Sequence, residues 1–208
     1  MQWKKVAKKT LPRDVGFDWS GTSLQEREAS GQGFVYAAIV IFVYLFLVAL
    51  YESWSIPVAV LLIAPVAALG AFVFLLMRGL PLDLYSQIGM YTLIGVAAKQ
   101  AILIVEFAKD LHEKQGYSIE EAAMHAARLR FRAIMMTALA FVFGVLPMVF
   151  ATGAGAQSRI SVGSTVFGGM VAAATIGTVL TPVFYVLIQS LVDSAAKRKL
   201  AKQHQTIE

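Results

Sequence analysis

Gln87 to Phe107 reads QIGMYTLIGVAAKQAILIVEF, an apolar run long enough to cross a bilayer, with Lys99 in its middle. As a helix it extends about 12 Å from Lys99 to Phe107 and about 18 Å from Lys99 to Gln87. A lysine side chain is roughly 6 Å long, too short to snorkel easily to either surface. Burying its ammonium costs about 3 kcal/mol on insertion scales. The usual compensation is a carboxylate on a neighbouring helix, and such pairs mark ion or proton pathways. The competing reading leaves Lys99 neutral, or bathed by a water defect, and merely tolerated. No Asp or Glu lies at comparable depth in the other apolar segments. Glu106 follows seven residues on, about 10 Å along the axis, near the end of the run. The counter-charge is therefore expected outside these 208 residues, and the chain reads as a piece of a larger machine.

Composition fits that placement. Hydrophobic residues make up 58% of the chain and charged residues 15%, the balance of a multi-span membrane protein. The net charge of +5 reads as loop lysines and arginines facing anionic lipid rather than a nucleic-acid footprint. The absence of Cys excludes disulfides and thiolate metal sites. His112, His125 and His204 have no spacing that makes a metal or nucleophile site, and the eight Met read as core filling. No cofactor, metal or catalytic residue is expected, and the chain does not read as an enzyme.

In chain order, residues 1–33 are polar, with scattered apolar residues, a turn signal at Asp18-Trp-Ser-Gly-Thr22 and too little apolar surface for a core. Met1–Thr10 is basic without a closely following apolar stretch, so it does not read as a signal peptide. An all-α membrane fold with five spans follows, over residues 34–192. The spans are placed at about 34–51, 56–77, 86–108, 133–151 and 162–191. Pro57 suits a first helical turn, and Pro65 and Gly70 are tolerated inside a membrane helix. Ser118-Ile-Glu-Glu121 is a capping-box pattern. It should start a surface helix over about 119–131, whose apolar stripe brings Arg128, Arg130 and Arg132 to the interface as a positive anchor. The segment Thr152–Arg159 reads as a small, flexible loop. Glycines and alanines from Gly163 to Gly177 make the last span a close-packing helix. Residues 193–208 read as a basic tail without regular structure.

Segment 109–132 and the tail share one side and hold nine basic residues, among them Lys109, Lys114 and Lys197–Lys199; the opposite loops hold only Arg78 and Arg159. The positive-inside rule places the C-terminus in the cytoplasm. Residues 1–33, with Lys4, Lys5, Lys8, Lys9, Arg13 and Arg27, then lie outside, against their charge. An earlier span and a large exported domain before Met1 would remove the conflict, because long domains translocate largely regardless of charge.

Four segments carry a resemblance: Ala49–Pro57 (ALYESWSIP), Gly95–Phe107 (GVAAKQAILIVEF), Arg128–Arg132 (RLRFR) and Met136–Phe141 (MTALAF). In this order they resemble the resistance-nodulation-division (RND) efflux pumps, most closely the hydrophobe/amphiphile multidrug branch, from about Gly16 to Tyr185. The resemblance implies the last five of twelve spans, with residues 1–33 as the remnant of a periplasmic porter domain. It implies a homotrimer in the bacterial inner membrane, driven by proton influx, with a periplasmic adaptor and an outer-membrane channel as partners. Lys99 matches the family's relay lysine, whose aspartate partners belong to the N-terminal half. Thr137 matches a relay threonine, and Arg130 an arginine at the cytoplasmic mouth of the proton path. The pattern departs at Gln100, where the family usually has Asn, and at Ala133, where it usually has Pro. On the residues alone, Thr137 reads equally as packing or as bonded to its own backbone. The rival expectations are a heavy-metal or other RND transporter, a truncated product inactive alone, and a membrane assembly protein that docks on a complementary half.

Overall fold

The computed structural model describes Gly21, Leu24 and residues 33–205, with the side chains of Leu24, Phe34 and residues 37–194. It divides into two compact units, residues 1–38 and 39–208. Of the first, Gly21 adopts a positive φ of 62°, as the expected turn requires. The porter-domain assignment of residues 1–33 otherwise lies outside the described residues. Among the described residues every regular element is helical.

Helix α1, Gly33–Tyr51, carries no charge and is apolar around its whole circumference, the pattern of a helix surrounded by hydrocarbon. It stops at Glu52, which sits at φ 50° in the left-handed region. The Tyr44 hydroxyl donates to the Trp54 carbonyl at 3.0 Å and pins the connection that follows. Helices α2 (Ile56–Leu61) and α3 (Ile63–Met77) form one span with a single irregular residue, Leu62. Pro65 explains the break: it has no N–H to offer the Leu61 carbonyl four residues back. The ladder resumes because the Leu62 N–H still reaches the Val58 carbonyl at 3.1 Å.

Helix α4, Leu84–Gln115, is capped at its start by Asp83, which accepts from the Ser86 N–H at 2.7 Å, and at its end by Gly116 at φ 71°. Helix α5, Ile119–Val149, opens on the expected capping box between Ser118 and Glu121. The surface helix and the fourth span, read separately from sequence, are one continuous helix of 31 residues. The reason is local: no Gly or Pro intervenes between Ser118 and Pro147 except Gly144, and Ala133 at the junction is a strong helix former.

Helix α6, Ala156–Ala172, begins inside the segment read as a loop, after Gly155 at φ 69°. A π-helical turn, Ala173–Gly177, then leads into α7, Thr178–Gln205. The basic tail is therefore helical through Gln205 rather than irregular. Ala195, Ala196, Lys197, Arg198, Lys199, Leu200, Ala201 and Lys202 all favour helix, so nothing stops its propagation. The five stretches read as spans are thus α1, α2–α3, α4, α5 and α6–α7. The last four are long and apolar enough to cross a membrane.

Helix α6 is the centre of packing, in contact with α3, α4 and α5. Its glycines make this possible. A methyl group on Gly168 would overlap the Phe74 side chain and approach the Gly70 carbonyl to 2.9 Å; one on Gly169 would overlap Leu93. Two ties fix the ends of the bundle. At one end the Arg78 guanidinium donates to the Val149 carbonyl at 2.9 Å and to Ser164 Oγ at 3.2 Å, placing positive charge at the C-terminus of α5. At the other, Lys109 Nζ donates to the Tyr51 carbonyl at 2.9 Å.

Two outcomes follow. Gly168→Ala should destabilise the bundle by about 2 kcal/mol through overpacking, whereas Gly95→Ala, whose new methyl meets nothing within 4 Å, should not. Thermal unfolding in detergent compares them, and equal effects would refute the packing account. Ser118→Ala should raise amide exchange in the first turn of α5 about fivefold. Hydrogen bonds from the Ser118 hydroxyl, then from its backbone N–H, hold the Glu121 carboxyl below its ordinary value. A lowered folded pKa means that this contribution is full at neutral pH and fades as pH falls through that lowered value. Exchange measured down a pH series should show first-turn protection falling only at the acid end.

Candidate functional site

Helix α4 has two faces. Leu93, Ala97, Gln100, Ala101, Ile104, Val105 and Ala108 are buried against the bundle. Ile88, Thr92, Gly95, Lys99 and Glu106 follow at intervals of four, three, four and seven, which puts them on one line along the helix. All five are exposed. Lys99 thus stands in the open stripe of a membrane-length helix, without a hydrogen-bond or ion-pair partner among the described residues. Glu106 lies on the same stripe two turns away, too far along the axis to serve it directly.

Helix α5, which packs on α4, has a comparable open line: Ala133, Thr137, Ala140, Gly144 and Pro147. The Thr137 hydroxyl is directed at carbonyls of its own helix, Ala133 at 3.2 Å and Ile134 at 3.0 Å. It is not bonded to Lys99. Gly95 and Gly144 face open space, so a methyl group on either would touch nothing within 4 Å. The two lines are therefore low enough for another helix to approach their backbones.

Arg130 stands apart from the arginines beside it. Arg128 and Arg132 are exposed, whereas Arg130 is half-buried with its guanidinium carbon 3.7 Å from the centre of the Phe107 ring. This is a cation–π stack, and it joins α5 to α4 eight residues, about 12 Å, beyond Lys99. Its Nε is buried and unpartnered among the described residues. The three sequence-selected residues thus form no single cluster. Lys99 and Thr137 lie on open lines of adjacent helices, and Arg130 sits at the end of the bundle that carries Lys109 and Tyr51.

One polar group, marked in the sequence only as a departure from the family pattern, has an inward place that sequence reasoning did not disclose. Gln100, only 8% exposed, turns away from the Lys99 stripe into the bundle, and its Oε1 has no partner among the described residues. The available signal was the small-residue face formed by Ala97, Ala98 and Ala101, which marks the neighbouring position as inward. Among the described residues no group of three or more His, Asp or Glu converges as a metal site would require. The chemistry this arrangement offers is that of a single cation held on an open apolar helix face, where an approaching carboxylate would be strongly attracted because little water competes.

Comparison with known proteins gives concordant relatives. The solvent-resistant pump membrane transporter SrpB of Pseudomonas putida is 48% identical over 190 residues, 91% of this chain and 18% of the relative. The toluene efflux pump membrane transporter TtgE of Pseudomonas putida is 47% identical over 188 residues, 90% of this chain and 18% of its own length. The multidrug resistance protein MdtF of Escherichia coli is 47% identical over 182 residues, 87% of this chain and 18% of its own length. The chain therefore spans about 18% of the length of these relatives. The model of the AcrB/AcrD/AcrF family matches residues 1–189. With that match over nearly all of its length, the chain belongs to the AcrB/AcrD/AcrF family, whose members here are RND solvent and multidrug efflux transporters.

Proposed function

We propose that the chain supplies five spans of a proton-driven efflux transporter and carries the cationic member of its proton relay. The observation that carries this reading is Lys99: an ammonium on an open stripe of a membrane-length helix, unpartnered among the described residues. In this proposal the stripe, with the low line of Thr137 and Gly144 beside it, receives a helix that bears an aspartate pair. With the pair ionised, Lys99 is held by it. With the pair protonated, Lys99 is released, and the Thr137 hydroxyl rotates from its own carbonyls to offer another partner. The exchange changes which helices are held together and so biases two arrangements of the bundle. Arg130, fixed on Phe107, guards the cytoplasmic mouth of the path.

The cargo, by the names of the relatives, is a drug, solvent or similar amphiphile, exported across the cell envelope. The working assembly is a homotrimer in the bacterial inner membrane, joined to a periplasmic adaptor and an outer-membrane channel. The C-terminus is cytoplasmic, in keeping with basic residues concentrated on the Lys109 and Arg132 side. The relatives' names favour amphiphile export over heavy-metal export.

In the assembled transporter, Lys99→Ala should reduce efflux of an ethidium-type dye to that of a strain without the pump, at unchanged membrane level and trimer content. Normal efflux by this variant would sink the relay assignment. Thr137→Ala should lower efflux about fivefold, the scale of one hydrogen bond. A double-mutant cycle of Arg130→Gln with Phe107→Leu should reveal a coupling of about 1 kcal/mol in thermal stability; strict additivity would show that the stack contributes nothing.

A further inference from the structure

The first half of α5 and the first half of α7 do not close on each other. Between them runs a trough of about 650 Å³, walled by Met124, Phe131, Val179, Val183 and Leu187. It has two structural causes. Ala123 and Ala127 give α5 a low floor there, and Pro182, which lines the trough, lacks the N–H that would complete the ladder of α7. From Thr178 to Leu187 the trough follows α7 for about 14 Å, close to one leaflet's share, about 15 Å, of a bilayer's hydrocarbon.

The charges at its rim are unequal. Arg128 lines the trough, is exposed, and forms no ion pair among the described residues. Its neighbour Arg130 is engaged with Phe107, so the two arginines differ in what they are free to bind. Arg132, one turn on, is also exposed. Glu120, the other charged residue of the lining, is eight residues earlier, about 12 Å along the axis, and sits in the first turn of α5, where the helix dipole favours its charge. A free guanidinium at the edge of an apolar trough is complementary to one ligand chemistry, a phosphate joined to an acyl chain.

We infer that this trough is a binding site for an anionic phospholipid, with its phosphate on Arg128 and an acyl chain along Val179, Val183 and Leu187. The lipid fills the space between α5 and α7 that side chains leave empty. It is a bound lipid with its own contacts, distinct from the surrounding bilayer and independent of the transported cargo.

The test is lipid retention, which does not read transport, so failure of the efflux reading would leave it unaffected. The protein, extracted from its membrane in mild detergent, is titrated with phosphatidylglycerol or phosphatidylcholine and examined by native mass spectrometry. Phosphatidylglycerol should be retained in preference to phosphatidylcholine. Arg128→Gln should weaken phosphatidylglycerol retention about fivefold, the effect expected of one basic contact. Arg159→Gln, which removes an arginine bonded instead to the Thr152 and Ala154 carbonyls, should leave retention unchanged. Val183→Trp should abolish retention of both lipids, and Leu187→Phe, a milder obstruction, should reduce it, with helix content checked by circular dichroism. The inference is overturned if Arg128→Gln binds phosphatidylglycerol as tightly as the parent or if both lipids are held equally. It is equally overturned if the obstructed variants retain lipid normally, or if the parent retains none because another protein segment occupies the trough.

Discussion

The close approach of α6 to its neighbours is the contact on which the rest of the bundle depends. Gly168 and Gly169 bring its backbone against Phe74, Gly70 and Leu93. Hydrocarbon gives apolar helices little reason to prefer one another over lipid, so association rests on close van der Waals contact, and small residues supply it. With α6 in the middle, α3, α4 and α5 are each committed to it along one face. That commitment decides which faces are left over. The inward face of α4 is spent on Leu93, Ala97 and Ala101, and the line through Gly95 and Lys99 remains outside.

The polar groups divide by the same geometry. Those that tie one helix to another lie at its ends: Asp83 with Ser161, Arg78 with Val149 and Ser164, Lys109 with Tyr51. These ties cross between helices where membrane helices normally meet water, so they cost little desolvation. Lys99 sits away from both ends and makes no such tie among the described residues. A cation in hydrocarbon without a partner is unfavourable by several kcal/mol. The bundle is in this sense electrostatically unfinished, and the face on which it is unfinished is also sterically low.

Much of this is legible in the sequence because the signals are local. Charge-free runs mark the helices, Ser118 and Glu121 mark the start of α5, and Lys99 announces itself by depth alone. What cannot be read is tertiary or depends on the absence of a stop signal. Arg128, Arg130 and Arg132 are alike in sequence; only the packing of α5 on α4 puts Phe107 under one of them. Gln100 differs from Lys99 by one position and about 100° of helix rotation, which turns one inward and the other out. The joined helix across Arg132-Ala133 and the helical tail escape sequence reading because a change from apolar to polar composition resembles a boundary. Helices propagate through such changes unless Gly, Pro or a competing cap intervenes.

The π-helical turn at Ala173–Gly177 has a consequence for phase. An α-helix fixes the angular position of every residue relative to every other, so the face that α6 presents would dictate the face that α7 presents. The Thr178 N–H reaches the Ala173 carbonyl five residues back, and this wider loop accommodates one additional residue. Everything beyond Gly177 is thereby offset by about 100° from the position a continuous α-helix would give it. The turn works as a vernier between two halves of one rod. It lets α6 keep its glycines toward α3 and α4 while α7 independently turns Thr181 and Tyr185 inward. Deleting a single residue there would straighten the rod and leave those faces where they are, whereas closing the turn into regular α-helix at full length would rotate the entire second half by about 100° onto the wrong neighbours.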